Sequence, residues 1–120
     1  MTPQEIVNRV AERLADGRGR AFEGSSCTYR TSDGNACAVG CLVDEETSLK
    51  WKISGGGGSV RYLLRFELLP EWAVKSVELL YDLQVQHDYY GNWAGSEFTG
   101  WRFFRKVCKT YNLDIPEQAK

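Results

Sequence analysis

Apolar positions in the first stretch of the chain recur at helical spacing. Ile6, Val7, Val10, Ala11 and Leu14 fall on one side, and Glu5, Arg9, Glu12 and Arg13 on the other. Thr2-Pro3-Gln4-Glu5 supplies the start: a capping hydroxyl, a proline where a missing N–H costs nothing, and a glutamate that closes a capping box. Gly17 supplies the stop. The pattern predicts a first helix over residues 3–16.

The period then changes to two. Residues 27–30 and 36–39 flank Ser-Asp-Gly-Asn, which predicts a β-hairpin turning at Asp33-Gly34, with Arg30 facing Cys37. Leu49, Trp51 and Ile53 alternate with Lys50 and Lys52. Val60, Tyr62, Leu64, Phe66 and Leu68 alternate in the same way. Both stretches predict strands with one buried face. Between them runs Ser-Gly-Gly-Gly-Gly-Ser, residues 54–59, with no side chain to pack. Its composition is that of an engineered linker, with a natural glycine loop as the alternative. It is no phosphate cradle, since Gly-Lys-Ser/Thr and a following helix are missing from the pattern.

Helical spacing returns at Pro70-Glu71. Lys75, Glu78, Asp82 and Gln86 form a narrow polar stripe, and Trp72, Val77, Leu79, Leu80, Tyr81 and Leu83 make the rest apolar. A second helix to about His87, buried on most sides, is predicted. A third spans about 98–111, with Trp101, Phe104, Val107, Cys108 and Tyr111 inward and Arg102, Arg105, Lys106 and Lys109 outward. Asn112 and Pro116 end it. The sum is an α+β fold: one domain over 1–120, three helices packed on a small antiparallel sheet.

With 42% hydrophobic residues, 120 residues suffice for a core without staples. The formal net charge of −1 gives no global pull toward nucleic acid or anionic lipid. No apolar run reaches the roughly 20 residues of a membrane span, and MTPQEIVNRV is not a secretory leader. A cytoplasmic protein is therefore expected, its four cysteines held as thiols or metal ligands rather than disulfides.

Three of those cysteines, Cys27, Cys37 and Cys41, lie in the stretch CTYRTSDGNACAVGC, and the chain holds one histidine, His87. Zinc needs convergent ligands at about 2.3 Å from the metal. In the predicted register Cys27 and Cys37 point to opposite sheet faces, which disfavours a Cys27–Cys37–Cys41–His87 site. Packed thiols are the favoured reading, and no cofactor is expected. The sharper alternative is a thiol enzyme: Cys37 or Cys41 as nucleophile, His87 as base, Asp88 or Asn92 as orienter. His87 falls on the apolar side of its helix, and no oxyanion-hole pattern accompanies it. The basic face of the last helix, Arg102, Arg105, Lys106 and Lys109, suits an acidic protein surface or phosphate, against the commoner case of a solvated face. Base-stacking aromatics are not evident there, because Trp101, Phe104 and Tyr111 are needed inside. Trp93, in the aromatic stretch Tyr89-Tyr90-Gly91-Asn92-Trp93, is a further candidate for protein contact.

Cys27-Thr28-Tyr29-Arg30, the Asp33-Gly34 turn and Cys37-Ala38-Val39-Gly40-Cys41-Leu42-Val43-Asp44-Glu45 together form a pattern. It resembles that of small, uncharacterised accessory proteins encoded by bacteriophages and prophages: C-x-Y-R, a turn, C-A-V/I-G, then an apolar-Asp-Glu stretch. The likeness extends to the first helix and to Leu83-Gln84 followed by His87-Asp88, similar to L-Q-x-x-H-D in that group. Residues 47–69 depart from it, and position 41 is not always cysteine there. The resemblance implies no reaction. It implies a phage accessory protein acting in an infected bacterium. Together with a compact domain, a near-neutral net charge and no convincing catalytic set, it leads to the expectation of a non-enzymatic protein that binds and modulates a host factor, such as a CRISPR-type defence system. Arg102, Arg105, Lys106, Lys109 and Trp93 are the expected contacts. A thiol or zinc enzyme centred on Cys37 and His87 is the alternative, and nucleic-acid binding through the last helix a second one.

Overall fold

The computed structural model describes residues 1–23, 26–27, 29–53 and 59–120, without the side chains of residues 23, 26, 27, 49, 52 and 53. The glycine run expected as a linker, 54–58, lies outside the described residues, as do the side chain of Cys27 and all of Thr28.

Helix α1, Pro3–Leu14, begins as its sequence dictates. The Thr2 hydroxyl accepts from the Glu5 N–H and the Glu5 carboxylate from the Thr2 N–H, closing the capping box. Its apolar stripe is fully buried from Ile6 to Leu14. Arg13, read as solvent-facing, is instead buried. Its guanidinium donates to the carbonyls of Ala36 and Gly19 and pairs with Asp16 at 3.0 Å, so three partners replace the water it gives up.

Strands β1, Phe22–Glu23, and β2, Ser26–Cys27, form a short antiparallel ribbon. The hairpin expected next is reduced to one bridge, Arg30 opposite Ala36 rather than Cys37. The turn is one residue longer in effect, because Thr31 and Asp33 side-chain oxygens both accept from the Asn35 N–H and hold a wider loop. Gly34 sits at φ +89° within it. After Cys37 the chain coils into a 3₁₀ turn, Gly40–Leu42, instead of continuing as a strand.

The two strands expected from alternation over 49–53 and 60–68 are helices: α2, Glu45–Ile53, and α3, Val60–Arg65. Capping overrides the period-two pattern. Asp44 Oδ1 accepts from the Thr47 N–H at 2.7 Å, with Glu45 and Glu46 in the first turn favoured by the helix dipole. Ser59 Oγ accepts from the Tyr62 N–H at 3.3 Å. Burial follows helical spacing too: Val60 and Leu63 are buried while Phe66, on the expected inner strand face, is 54% exposed.

The second expected helix is divided into α4, Glu71–Val74, and α5, Val77–Asp88, by a turn at Lys75-Ser76. The third starts later than expected. Phe98 belongs to a ribbon of β3, Trp93–Ala94, and β4, Glu97–Phe98, and α6 runs Trp101–Thr110. The architecture is thus mixed α and β, with six α-helices among the described residues in place of three. The helices pack chiefly on one another: α5 lies against α1, α3 and α6, and the ribbons supply edges rather than a floor. No described helix is long and apolar enough to cross a membrane.

Candidate functional site

Residues of the hairpin segment and of α5 meet at one junction. Leu83 and His87 of α5 are fully buried. Gln84 Oε1 accepts from the Val39 N–H at 3.0 Å, and Gln84 Nε2 donates to Asp88 Oδ1 at 2.8 Å. His87 Nε2 accepts from the Ala21 N–H at 3.0 Å, which places the ring proton on Nδ1, 2.8 Å from the same Asp88 oxygen. Arg20 donates to the Asp88 carbonyl at 2.9 Å. One turn of α5 therefore holds both the segment entering β1 and the turn after Cys37.

The hairpin side completes the junction. Arg30 is a clamp: Nε donates to Ser48 Oγ at 3.0 Å and Nη2 to the carbonyls of Gly40 and Val43 at 3.2 Å, tying the 3₁₀ turn to α2. The Tyr29 ring packs edge-on to Trp51, with centroids 4.9 Å apart. At Gly40 a β-carbon would lie 1.9 Å from the Tyr29 carbonyl oxygen, so no other residue fits without moving the backbone. Tyr29-Arg30, Cys37 to Gly40 and Leu83 to Asp88 are, in this fold, three sides of one packed joint.

Its chemistry follows from that packing. Cys37 is fully buried and its sulfur accepts from the Gly40 N–H at 3.2 Å. Burial pushes its thiol up to about 12, and burial likewise pushes Cys41 up to about 11, with the nearby Arg13 and Arg9 opposing. Both are neutral thiols near pH 7. His87 is held below its ordinary value by desolvation, which outweighs the bond and charge of Asp88. A general base for Cys37 needs a free imidazole lone pair, and here that lone pair is occupied by Ala21. Cys41 is half-buried and donates to the Ala38 carbonyl at 3.2 Å. Among the described residues no group of three or more His, Cys, Asp or Glu side chains could hold a metal, and the side chain of Cys27 lies outside them.

A second region lies on the opposite side of α5. Val85, Tyr89 and Phe103 are 44%, 53% and 51% exposed, and they line a groove between α5 and α6. One lobe of about 160 Å³ is bounded by Val85, Gln86, Tyr89, Asn92 and Phe103. A second of about 220 Å³ shares Val85, Gln86 and Phe103 and continues along Asp82, Lys106, Val107 and Thr110. Of the expected contact residues, Arg102, Lys106 and Lys109 are exposed on α6, Lys106 lines this groove, and among the described residues none of the three forms an ion pair. Arg105 is half-buried and donates to the Ala119 carbonyl at 2.9 Å. Trp93 is also half-buried: its indole N–H donates to the His87 carbonyl at 2.8 Å and its ring packs on His87 and Phe98.

Tyr89 belongs to the aromatic stretch expected as a contact patch, whereas Val85 and Phe103 were not candidates in the sequence. One signal was there: Phe103 sits directly between outward Arg102 and inward Phe104, breaking the segregation of α6. Compared with known proteins, the chain matches no family model, no curated protein and no solved structure.

Proposed function

We propose that this chain is a non-enzymatic accessory protein of a bacteriophage that binds and modulates a protein of its bacterial host, in the cytoplasm, with inhibition of a defence system as its role. The observation that carries the binding reading is the α5–α6 face. Three large apolar side chains stand half in solvent there, and Arg102, Lys106 and Lys109 are exposed on α6 with no ionic partner among the described residues, Lys106 at the groove itself. Solvent exposure of Phe103 and Val85 leaves apolar area uncovered, and a protein partner would cover it. The phage and host assignment rests on the resemblance carried by residues 27–45 and 83–88. The junction around Cys37 and His87 supports the non-enzymatic part, because burial keeps the Cys37 and Cys41 thiols neutral near pH 7 and the Ala21 N–H occupies the imidazole lone pair of His87.

The experiment compares the intact protein with Phe103→Asp and with Trp72→Phe, a conservative change away from the face, as baits in bacterial lysate. Bound proteins are identified by mass spectrometry, and infection is scored in cells expressing each form. One host protein, retained by the intact chain and Trp72→Phe and lost with Phe103→Asp while the fold is intact by circular dichroism, is the expected result. Equal capture by all three baits, or none by any, overturns it.

A further inference from the structure

We infer that the α5–α6 groove receives a short amphipathic helix of an acidic partner, two apolar side chains from successive turns entering its two lobes and carboxylates lying over Arg102, Lys106 and Lys109. This rests on the protein-binding reading above and names the chemistry of what binds. The size of the groove sets the occupant. Lobes of about 160 and 220 Å³ are each smaller than the roughly 300 Å³ at which small-molecule pockets begin. They share the wall of Val85 and Phe103, as successive anchors of one ligand require. From Asp82 to Tyr89, and from Phe103 to Thr110, each helix offers about 10 Å of wall at 1.5 Å per residue. Side chains three or four residues apart on a partner helix are about 5–6 Å apart, so two of them fit that length.

Charge sets the orientation. Lys106 lines the groove, and Arg102 and Lys109 follow around the exposed arc of α6. On the α5 side the acid at the groove is Asp82, whose Oδ2 accepts from the Tyr111 hydroxyl at 2.6 Å. Carboxylates of the partner therefore lie over α6, and a basic residue is tolerated only at the Asp82 end. The same charge distribution argues against a nucleic-acid strand. Its phosphates would meet the Asp82 carboxylate, which lines the same lobe as Lys106.

The test uses three probes on the full chain: a stapled peptide of about three helical turns with leucines four apart and flanking glutamates, its twin with lysines for the glutamates, and oligo-dT. Binding is read by fluorescence anisotropy and mapped by backbone NMR shifts. The glutamate peptide is expected to bind with shifts centred on Val85, Tyr89 and Phe103, and at least about tenfold tighter than its lysine twin. Phe103→Ala should weaken it at least about tenfold, and K106E with R102E should invert the preference between twins. Equal binding of the twins, binding of neither, tighter binding of oligo-dT, or self-association of the chain abolished by Phe103→Ala each overturns the inference. Thermal melts separate loss of binding from loss of fold. If the peptides fail while host capture still depends on Phe103, the acidic-helix occupant falls and the protein-binding function stands; if capture fails as well, both fall.

Discussion

His87 shows how much a single side chain decides. It is fully buried, accepts the Ala21 N–H and donates to Asp88, and its charged form is penalised by desolvation. Its folded pKa lies below the ordinary 6.5 it has when unfolded, so the unfolded chain binds the extra proton first. Stability is therefore full above about pH 6.5 and is lost progressively as pH falls toward the folded pKa. Urea midpoints measured between pH 7.5 and 5 should fall in the intact protein. In His87→Gln the curve should be flatter across that window, and at pH 7.5 the variant should be less stable by about 1–3 kcal/mol for buried polar partners left short. The thiols give a second residue-scale outcome. With Cys37 pushed up to about 12 and Cys41 to about 11, iodoacetamide at pH 7.5 should label neither quickly in the folded protein. Cys37 should react only at the rate at which the chain opens, and both should react fast in urea. Rapid labelling of native Cys37, read by mass spectrometry, would restore the thiol-enzyme alternative. That His87 faces inward was legible from its place on the apolar side of a helix. That both of its nitrogens are occupied was not, since Ala21 comes to it from a distant part of the chain.

At the scale of elements, the sequence was readable where a helix carries its own start signal. Thr2 and Glu5 announce α1 and close their box as written. Alternation misled at 49–53 and 60–68 because an apolar residue at every second position also puts apolar side chains on one helix side at i and i+4. Val60 with Leu64 and Tyr62 with Phe66 satisfy both templates. The deciding signals were Asp44 and Ser59, single cap residues. Ser59 in particular reads as the last letter of a Gly-Ser linker yet accepts the Tyr62 N–H. Ser59→Ala should thus lower stability by about 0.5–2 kcal/mol, the usual cost of a lost cap, and Ser59→Asp should restore it. Denaturant titration of the two variants checks this. If Ser59→Ala is neutral, α3 is held by the packing of Val60 and Leu63 alone. The break of the long second helix at Lys75-Ser76 had no such signal, since neither residue is a helix breaker.

For the whole molecule, a net charge of −1 conceals two differently built faces of α5. One face is tied by Gln84, His87 and Asp88 into a hydrogen-bonded joint with Val39 and Ala21. The other meets α6 at Val85 and Phe103, where apolar side chains are left half in water. The joint was visible in the sequence as a motif. The groove was not, because the exposure of Val85 and Phe103 depends on how two helices approach each other. Arg102, Lys106 and Lys109 are exposed on α6 without an ionic partner among the described residues, so the fold should lose little if their sign is reversed. R102E, K106E and K109E together should leave the melting temperature within about 6 °C of the intact protein, since each surface substitution costs no more than about 0.5 kcal/mol. The same protein should bind the glutamate peptide at least about tenfold more weakly. Its residual binding should also lose its dependence on salt, since screening acts on the attraction that these cations provide. A drop in melting temperature equal to that of a core mutant would mean that the three cations hold the fold, and the unpaired face would then be a structural surface rather than a recognition one.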